Sequence, residues 1–216
     1  MSETRPDTKV GSFSKTRLEA FSDGVYAIAI TLLVLDIAVK PGGSPLNEFL
    51  SAWPTYIGYV VSFLTIGVSW IGHTAMTDEL KAVDAVFLRL NLLLLLVVVF
   101  LPFPTTLITE AFGDREAERV AATVYGATLL AIRLLSMALD HYARREGLYR
   151  AASDRDVELS RSRRKDVSGV VLYLAAIIVG LALPGLAVTF YFAIALFLVI
   201  PFRDLLRPRG RTSPAA

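Results

Sequence analysis

From Val167 to Phe202 the chain runs without one charged residue. As a single helix that stretch would be about 54 Å long at about 1.5 Å per residue, far more than the roughly 30 Å of hydrocarbon in a bilayer. A soluble core does not accommodate it either, because a soluble helix keeps a polar face. Pro184-Gly185 is a turn dipeptide near its middle, and this splits the run into two short crossings at residues 167–184 and 186–204. Four further blocks, at 17–39, 53–76, 86–109 and 118–140, are long and apolar enough to cross on their own. The expectation is an all-α membrane protein with six transmembrane helices. Composition agrees: 54% of the residues are hydrophobic, 19% are charged and mean hydropathy is +0.55, well beyond a typical soluble domain.

The cations set the orientation. Arg144, Arg145, Arg150, Arg155, Arg161, Arg163, Arg164 and Lys165 crowd the stretch between the fourth and fifth blocks, and the positive-inside rule places that stretch in the cytoplasm. Six crossings then put both termini on the same side, with Lys9, Lys15 and Arg17 before the first helix and Arg203, Arg207, Arg209 and Arg211 after the last. The opposite side holds Lys40 in one loop and Glu110, Asp114 and Glu116 around Arg115 in the other. Residues 1–13 and 207–216 read as cytoplasmic tails around a transmembrane unit at 14–206. A cleaved leader is the competing reading of the first block, but Asp23 and Asp36 bracket it and no small-residue cleavage pattern precedes Lys40. The basic stretch at 140–166 is expected either to prolong a helix or to form a loop that touches anionic headgroups.

Much chemistry is excluded. There is no cysteine and there are only two histidines, too few for a thiolate or imidazole metal cage. No glycine-rich phosphate loop and no nucleophile with a base are present, so neither an enzyme nor a cofactor is expected. A net charge of +2, explained by topology, gives no reason to expect a nucleic acid partner.

Depth groups the remaining polar residues. The first helix leaves the cytoplasm near Arg17, the second returns near Met76 and the third leaves again near Asp84. Ser22, Asp23, Trp70, His73 and Asn91 therefore share the inner third of the membrane, where an unpartnered carboxylate would cost several kcal/mol. Asp23 is expected to find a donor among His73, Asn91 and an Arg17 from a neighbouring helix. Arg17 and Asp23 of one helix fall on different faces. Ile28, Leu32 and Leu35 lie four and then three residues apart, forming one stripe with Thr31 beside it. Arg133 is expected to snorkel to the cytoplasmic surface, and Pro102 and Pro104 to end or kink the third helix.

The sequence R-x-x-x-F-S-D at Arg17, Phe21, Ser22 and Asp23, followed by AIAITLLVL, resembles the first helix of the transmembrane protein 175 family of potassium channels. The W-x-x-H of Trp70 and His73 and the segment LRLNLLLLLVVVFLPFPTTL are similar to its second and third helices. The likeness spans roughly 14–206 and rests mainly on the first three helices; a single six-helix repeat resembles the bacterial form. What the resemblance implies is a homotetramer in the bacterial inner membrane whose first helices surround a pore, with potassium as the permeant ion. Ile28, Leu32 and Leu35 then take the family's hydrophobic constriction and Thr31 its polar layer. Arg17, Ser22, Asp23, Trp70, His73 and Asn91 take its inter-helix polar network. No carbonyl filter of the T-V-G-Y-G type is expected: the nearest string, TVYGAT at 123–128, lies within the fourth block. A proton-coupled transporter using Asp23 and His73 is the alternative reading, although no broken helix or inverted repeat supports it.

Overall fold

The computed structural model describes residues 13–37, 45–150 and 155–183, together with 186, 189–191 and 193. Among these, every long element is helical. Helix α1 spans Lys15–Leu32 and tightens into a 3-10 turn over Leu33–Asp36; α2 is Pro45–Ser51, α3 Trp53–Asp78, α4 Ala85–Phe100, α5 Pro102–Glu110, α6 Arg115–Arg145 and α7 Arg155–Ala182. Four helical segments are long and apolar enough to cross a membrane: Lys15–Leu35, Trp53–Asp78, Ala85–Glu110 and Arg115–Arg145. They coincide with the first four predicted blocks. The fifth block falls in α7, whose apolar part runs Gly169–Ala182, and the Pro184-Gly185 turn with most of the sixth block lies outside the described residues.

Local chemistry explains the helix ends. Ser14 accepts the Arg17 N–H at the start of α1, and Asp84 accepts the Phe87 N–H at 2.8 Å at the start of α4. Asp114 takes the N–H groups of Glu116 and Ala117 to open α6. That helix carries Glu116 and Glu118 in its first turn and Arg144 and Arg145 in its last, both in the sense its dipole favours. Gly147, at φ +63°, follows its end in the left-handed region. The expected interruption in the third block is present between α4 and α5. Pro102 has no N–H to give the Val98 carbonyl, which instead receives the Leu101 N–H at 3.1 Å.

Helix α4 is the central element, with α1 on one side and α6 on the other. Its Phe87, Leu94, Leu95 and Val98 are buried, and α1 packs on α3 and α4, while α6 packs on α4, α5 and α7. Outward-facing Ile71, Leu92, Leu96, Val120 and Ile178 stay exposed, as suits a surface solvated by hydrocarbon.

The basic end of the bundle is tied by main-chain bonds. Lys81 N–H donates to the Leu148 carbonyl at 2.9 Å and Arg150 N–H to the Glu79 carbonyl at 3.0 Å, an antiparallel bridge between Leu80 and Tyr149. Phe13 N–H donates to the Val83 carbonyl at 3.0 Å, which adds the entry of α1 to the same corner. Around it, Tyr142 donates to the free oxygen of Asp84 and Tyr149 to Asp140, whose other oxygen accepts from Arg144. Burial first, and the Asp140 carboxylate second, hold the Tyr149 phenol above its ordinary pKa, so it stays a donor. The basic stretch is thus helical at both ends: α6 runs on to Arg145 and α7 begins at Arg155.

Candidate pore-facing helix and its polar clasp

Helix α1 has two unlike faces. Leu18, Ser22, Tyr26, Ala29 and Leu33 are buried against the neighbouring helices; at about 100° per residue they all fall within about 40° of Ser22. Thr31 stands about 180° from that face, with Ile28 and Leu35 within about 60° of Thr31. All three are exposed, Ile28 at 57% and Leu35 at 72%. Leu32 is only 37% exposed, because it lies on the flank between the two faces. The Thr31 hydroxyl donates back to the Ile28 carbonyl at 2.9 Å. Its proton is thereby occupied, and the lone pairs of Oγ1 are left on the bare side, where they suit a cation.

The buried face is held by hydrogen bonds as well as by packing. Asn91 on α4 joins the three helices: its Nδ2 donates to Ser22 Oγ on α1 at 3.0 Å, and its Oδ1 accepts from His73 Nε2 on α3 at 2.7 Å. Ser22, His73 and Asn91 are all buried, so these bonds replace the ones that exposed groups would make to water. One turn along, Tyr26 and Ser69 share a hydrogen bond at 3.0 Å, and the Tyr26 ring stacks obliquely on His73 with centroids 5.5 Å apart.

Two expectations about this set need correction. The donor to Asp23 is none of His73, Asn91 and Arg17: it is Trp70, whose Nε1 donates to Oδ1 at 2.8 Å. The reason is angular, since Asp23 lies about 100° around the helix from Ser22 and meets the flank of α3 rather than the three-helix centre. Among the described residues Arg17 is apart from these bonds within the chain: it is exposed, and its backbone N–H goes to Ser14. Asp23 and His73 hold separate partners. Helix α6 continues about 18 Å beyond Arg133 to Arg145 at about 1.5 Å per residue. The Arg133 guanidinium lies against Gly169 of α7, its Nε 3.1 Å from where a Cβ would stand. Residues 123–128 are continuous helix within α6, with no re-entrant loop. Tyr26 and Ser69 escaped the sequence reading as a pair, though Tyr26, four residues after Ser22, is on the same face.

A sequence profile described as "Endosomal/lysosomal potassium channel TMEM175" matches residues 17–102, the part that contains both faces of α1 and the whole clasp. Potassium channel B446_29190 of Streptomyces collinus is 46% identical over 134 residues, 61% of this chain and 65% of that protein, so the match spans a little under two thirds of that relative. Potassium channel Cha6605_3372 of Chamaesiphon minutus is 37% identical over 190 residues, covering 85% of this chain and 93% of the relative. The crystal structure of a lysosomal potassium-selective channel TMEM175 homolog from Chamaesiphon minutus superposes with a TM-score of 0.74 at 36% identity, covering 85% of this chain and 95% of that one. The buried Ser22–Asn91–His73 clasp and the bare stripe around Thr31 therefore sit in a chain that belongs to the TMEM175 family of multi-pass membrane proteins.

Proposed function

We propose that the chain is a potassium-preferring, leak-like cation channel in which symmetry-related copies of α1 surround a shared axis. The observation that carries this is the division of α1 itself. One face is locked by buried hydrogen bonds, and on the opposite face Ile28, Thr31 and Leu35 stay exposed among the described residues. A helix that merely filled a bundle would have no need of so firm a hold on one side and so bare a stripe on the other.

In this reading Ile28, Leu32 and Leu35 form a hydrophobic neck that disfavours a desolvated ion, and the Thr31 oxygens, one per copy, replace part of its hydration shell. Hydroxyl dipoles in one ring discriminate less sharply than a cage of carbonyls, so selectivity over sodium is modest. Four copies, as the family resemblance implies, would close the ring, with Leu32 on the flank contacting the next copy. Ser22, Asp23, Trp70, His73 and Asn91 hold each helix at a fixed rotation, and Arg17 anchors it near its cytoplasmic end. The positive-inside rule puts the basic end in the cytoplasm, with six crossings and both termini inside, in a bacterial inner membrane. Exchange coupled to protons through Asp23 and His73 draws no specific support, since the two residues are engaged with different partners.

Purified protein in potassium-loaded liposomes tests the proposal. Ile28→Asn is expected to raise cation flux about tenfold, the factor that about 1.4 kcal/mol off a barrier gives, by wetting the neck. Thr31→Ala is expected to lower the potassium-to-sodium ratio. Unchanged flux and unchanged selectivity in both variants would show that this helix does not line the path.

A further inference from the structure

A cavity of about 350 Å³ opens beside the clasp, between α3, α6 and α7. Along α3 its described lining runs from Glu79 at the basic end to Thr65, about 21 Å at about 1.5 Å per residue. So little volume over so great a length makes a narrow channel, close to the width of one extended chain of methylenes. Its depth is apolar, walled by Val68, Leu94, Leu129 and Ile132. The hydroxyls among them have partners already. Thr65 donates to the Val61 carbonyl and Ser136 to the Ile132 carbonyl, each at 2.8 Å, and Ser69 is paired with Tyr26. Walls whose donors are spent in this way hold water weakly and lose little to hydrocarbon.

The charges gather toward the basic end. Among the described residues the lining holds Arg133 and Arg144 against Glu79 and Asp140, so it carries no net charge. Arg144 donates to Asp140 at 2.7 Å, and Tyr149 donates to the other oxygen of that carboxylate. Arg133 on α6 and Glu79 at the end of α3 line the space from different walls. The Arg133 Nε lies beside Gly169, where the apolar part of α7 begins. That is the boundary between hydrocarbon and headgroups, the level at which a lipid carries its phosphate and an arginine meets it. Glu79 stands further out, next to the Leu80–Tyr149 bridge.

We infer that this space binds one phospholipid of the leaflet at the basic end, with a zwitterionic head that bears an ammonium group. The phosphate sits on the planar fork of Arg133, which suits two phosphate oxygens at once, and the ammonium turns outward to Glu79. One acyl chain enters the channel toward Thr65, and the second stays in the bilayer. An anionic lipid brings a net negative charge to a lining that has none to match it. A phosphocholine head has no N–H for the Glu79 carboxylate. Free phosphate would satisfy Arg133 and leave the apolar depth unfilled. The inserted chain passes His73 and Ser69, which hold Asn91 and Tyr26 on their other sides, so the bound lipid backs the clasp from behind.

The test reconstitutes the full chain in bilayers of equal parts phosphatidylethanolamine, phosphatidylglycerol and phosphatidylcholine, extracts it in mild detergent, washes it, and counts the retained lipid by mass spectrometry. Bound lipid is the readout, so the result stands whether or not α1 lines an ion path. One phospholipid per chain is expected, enriched severalfold in phosphatidylethanolamine. Arg133→Gln is expected to lower retention of every class about tenfold, with Arg133→Lys between it and the native chain. Glu79→Gln is expected to equalise phosphatidylethanolamine and phosphatidylcholine while total retention is kept. Gly72→Leu, on the lining where an added Cβ meets nothing within 4 Å, fills the channel and displaces the lipid without removing any buried group. Retention no greater than that of Gly72→Leu, retention indifferent to Arg133→Gln, an ethanolamine preference that survives Glu79→Gln, enrichment of phosphatidylglycerol, or recovery of a phosphate-free amphiphile in place of phospholipid overturns the inference.

Discussion

The two faces of α1 obey opposite rules. The buried face is specified by partners: Asn91 satisfies Ser22 and His73 together, and Leu18, Ala29 and Leu33 fill the contact with α3 and α4. The bare face stays exposed among the described residues, and its polar side chain, Thr31, satisfies its own donor on its own helix. The lesson is that rotation about the helix axis is decided entirely from the side away from the proposed path. Side chains on the bare stripe can change without loosening the helix that carries them.

Substitutions can break that division or sharpen it. Asn91→Leu has the largest expected effect on stability, since it strands the buried Ser22 and His73 at once; a loss of about 2 kcal/mol follows from unmet buried groups, moderated in lipid where alternative partners exist. Thermal unfolding of the detergent-solubilised protein reads it. Tyr26→Phe removes one hydrogen bond and keeps the ring against His73, for about 1 kcal/mol in the same assay. Trp70→Phe takes the Nε1 donor from Asp23, for a similar loss of about 1 kcal/mol. Smallest of all, Thr31→Ala should leave the unfolding temperature unchanged or raise it slightly, as alanine is the better helix former by a few tenths of a kcal/mol. If Thr31→Ala destabilised as much as Asn91→Leu, the bare face would have to be a packed one in the assembled protein.

Much of the fold was legible because lipid-crossing helices announce themselves by length and absence of charge. The blocks at 17–39, 53–76, 86–109 and 118–140 each found a helix, and Pro102 marked the break between α4 and α5 through its missing donor. Grouping polar residues by depth also brought Ser22, His73 and Asn91 together. Depth gives no angle, however, which is why Asp23 was assigned the wrong donor and Trp70 was not seen as the right one. The buried hydroxyl cluster of Ser62, Thr105 and Tyr125, with Ser62 2.7 Å from Thr105 and 3.0 Å from Tyr125, had no signal at all: lone hydroxyls on three different helices have no period, and only packing makes them neighbours. The short helix Pro45–Ser51 was likewise unannounced, being too brief to show a repeat.

The corner at the basic end is stitched by amide hydrogens of Phe13, Lys81 and Arg150 reaching carbonyl oxygens of other segments. Almost any amino acid could make the same stitches, so these three bonds between the entry of α1, the α3–α4 turn and the exit of α6 are indifferent to which side chains stand at positions 13, 81 and 150. Proline alone, at positions 13, 81 or 150, would delete a stitch. An architecture anchored in that way is written in chain geometry rather than in an alphabet of side chains.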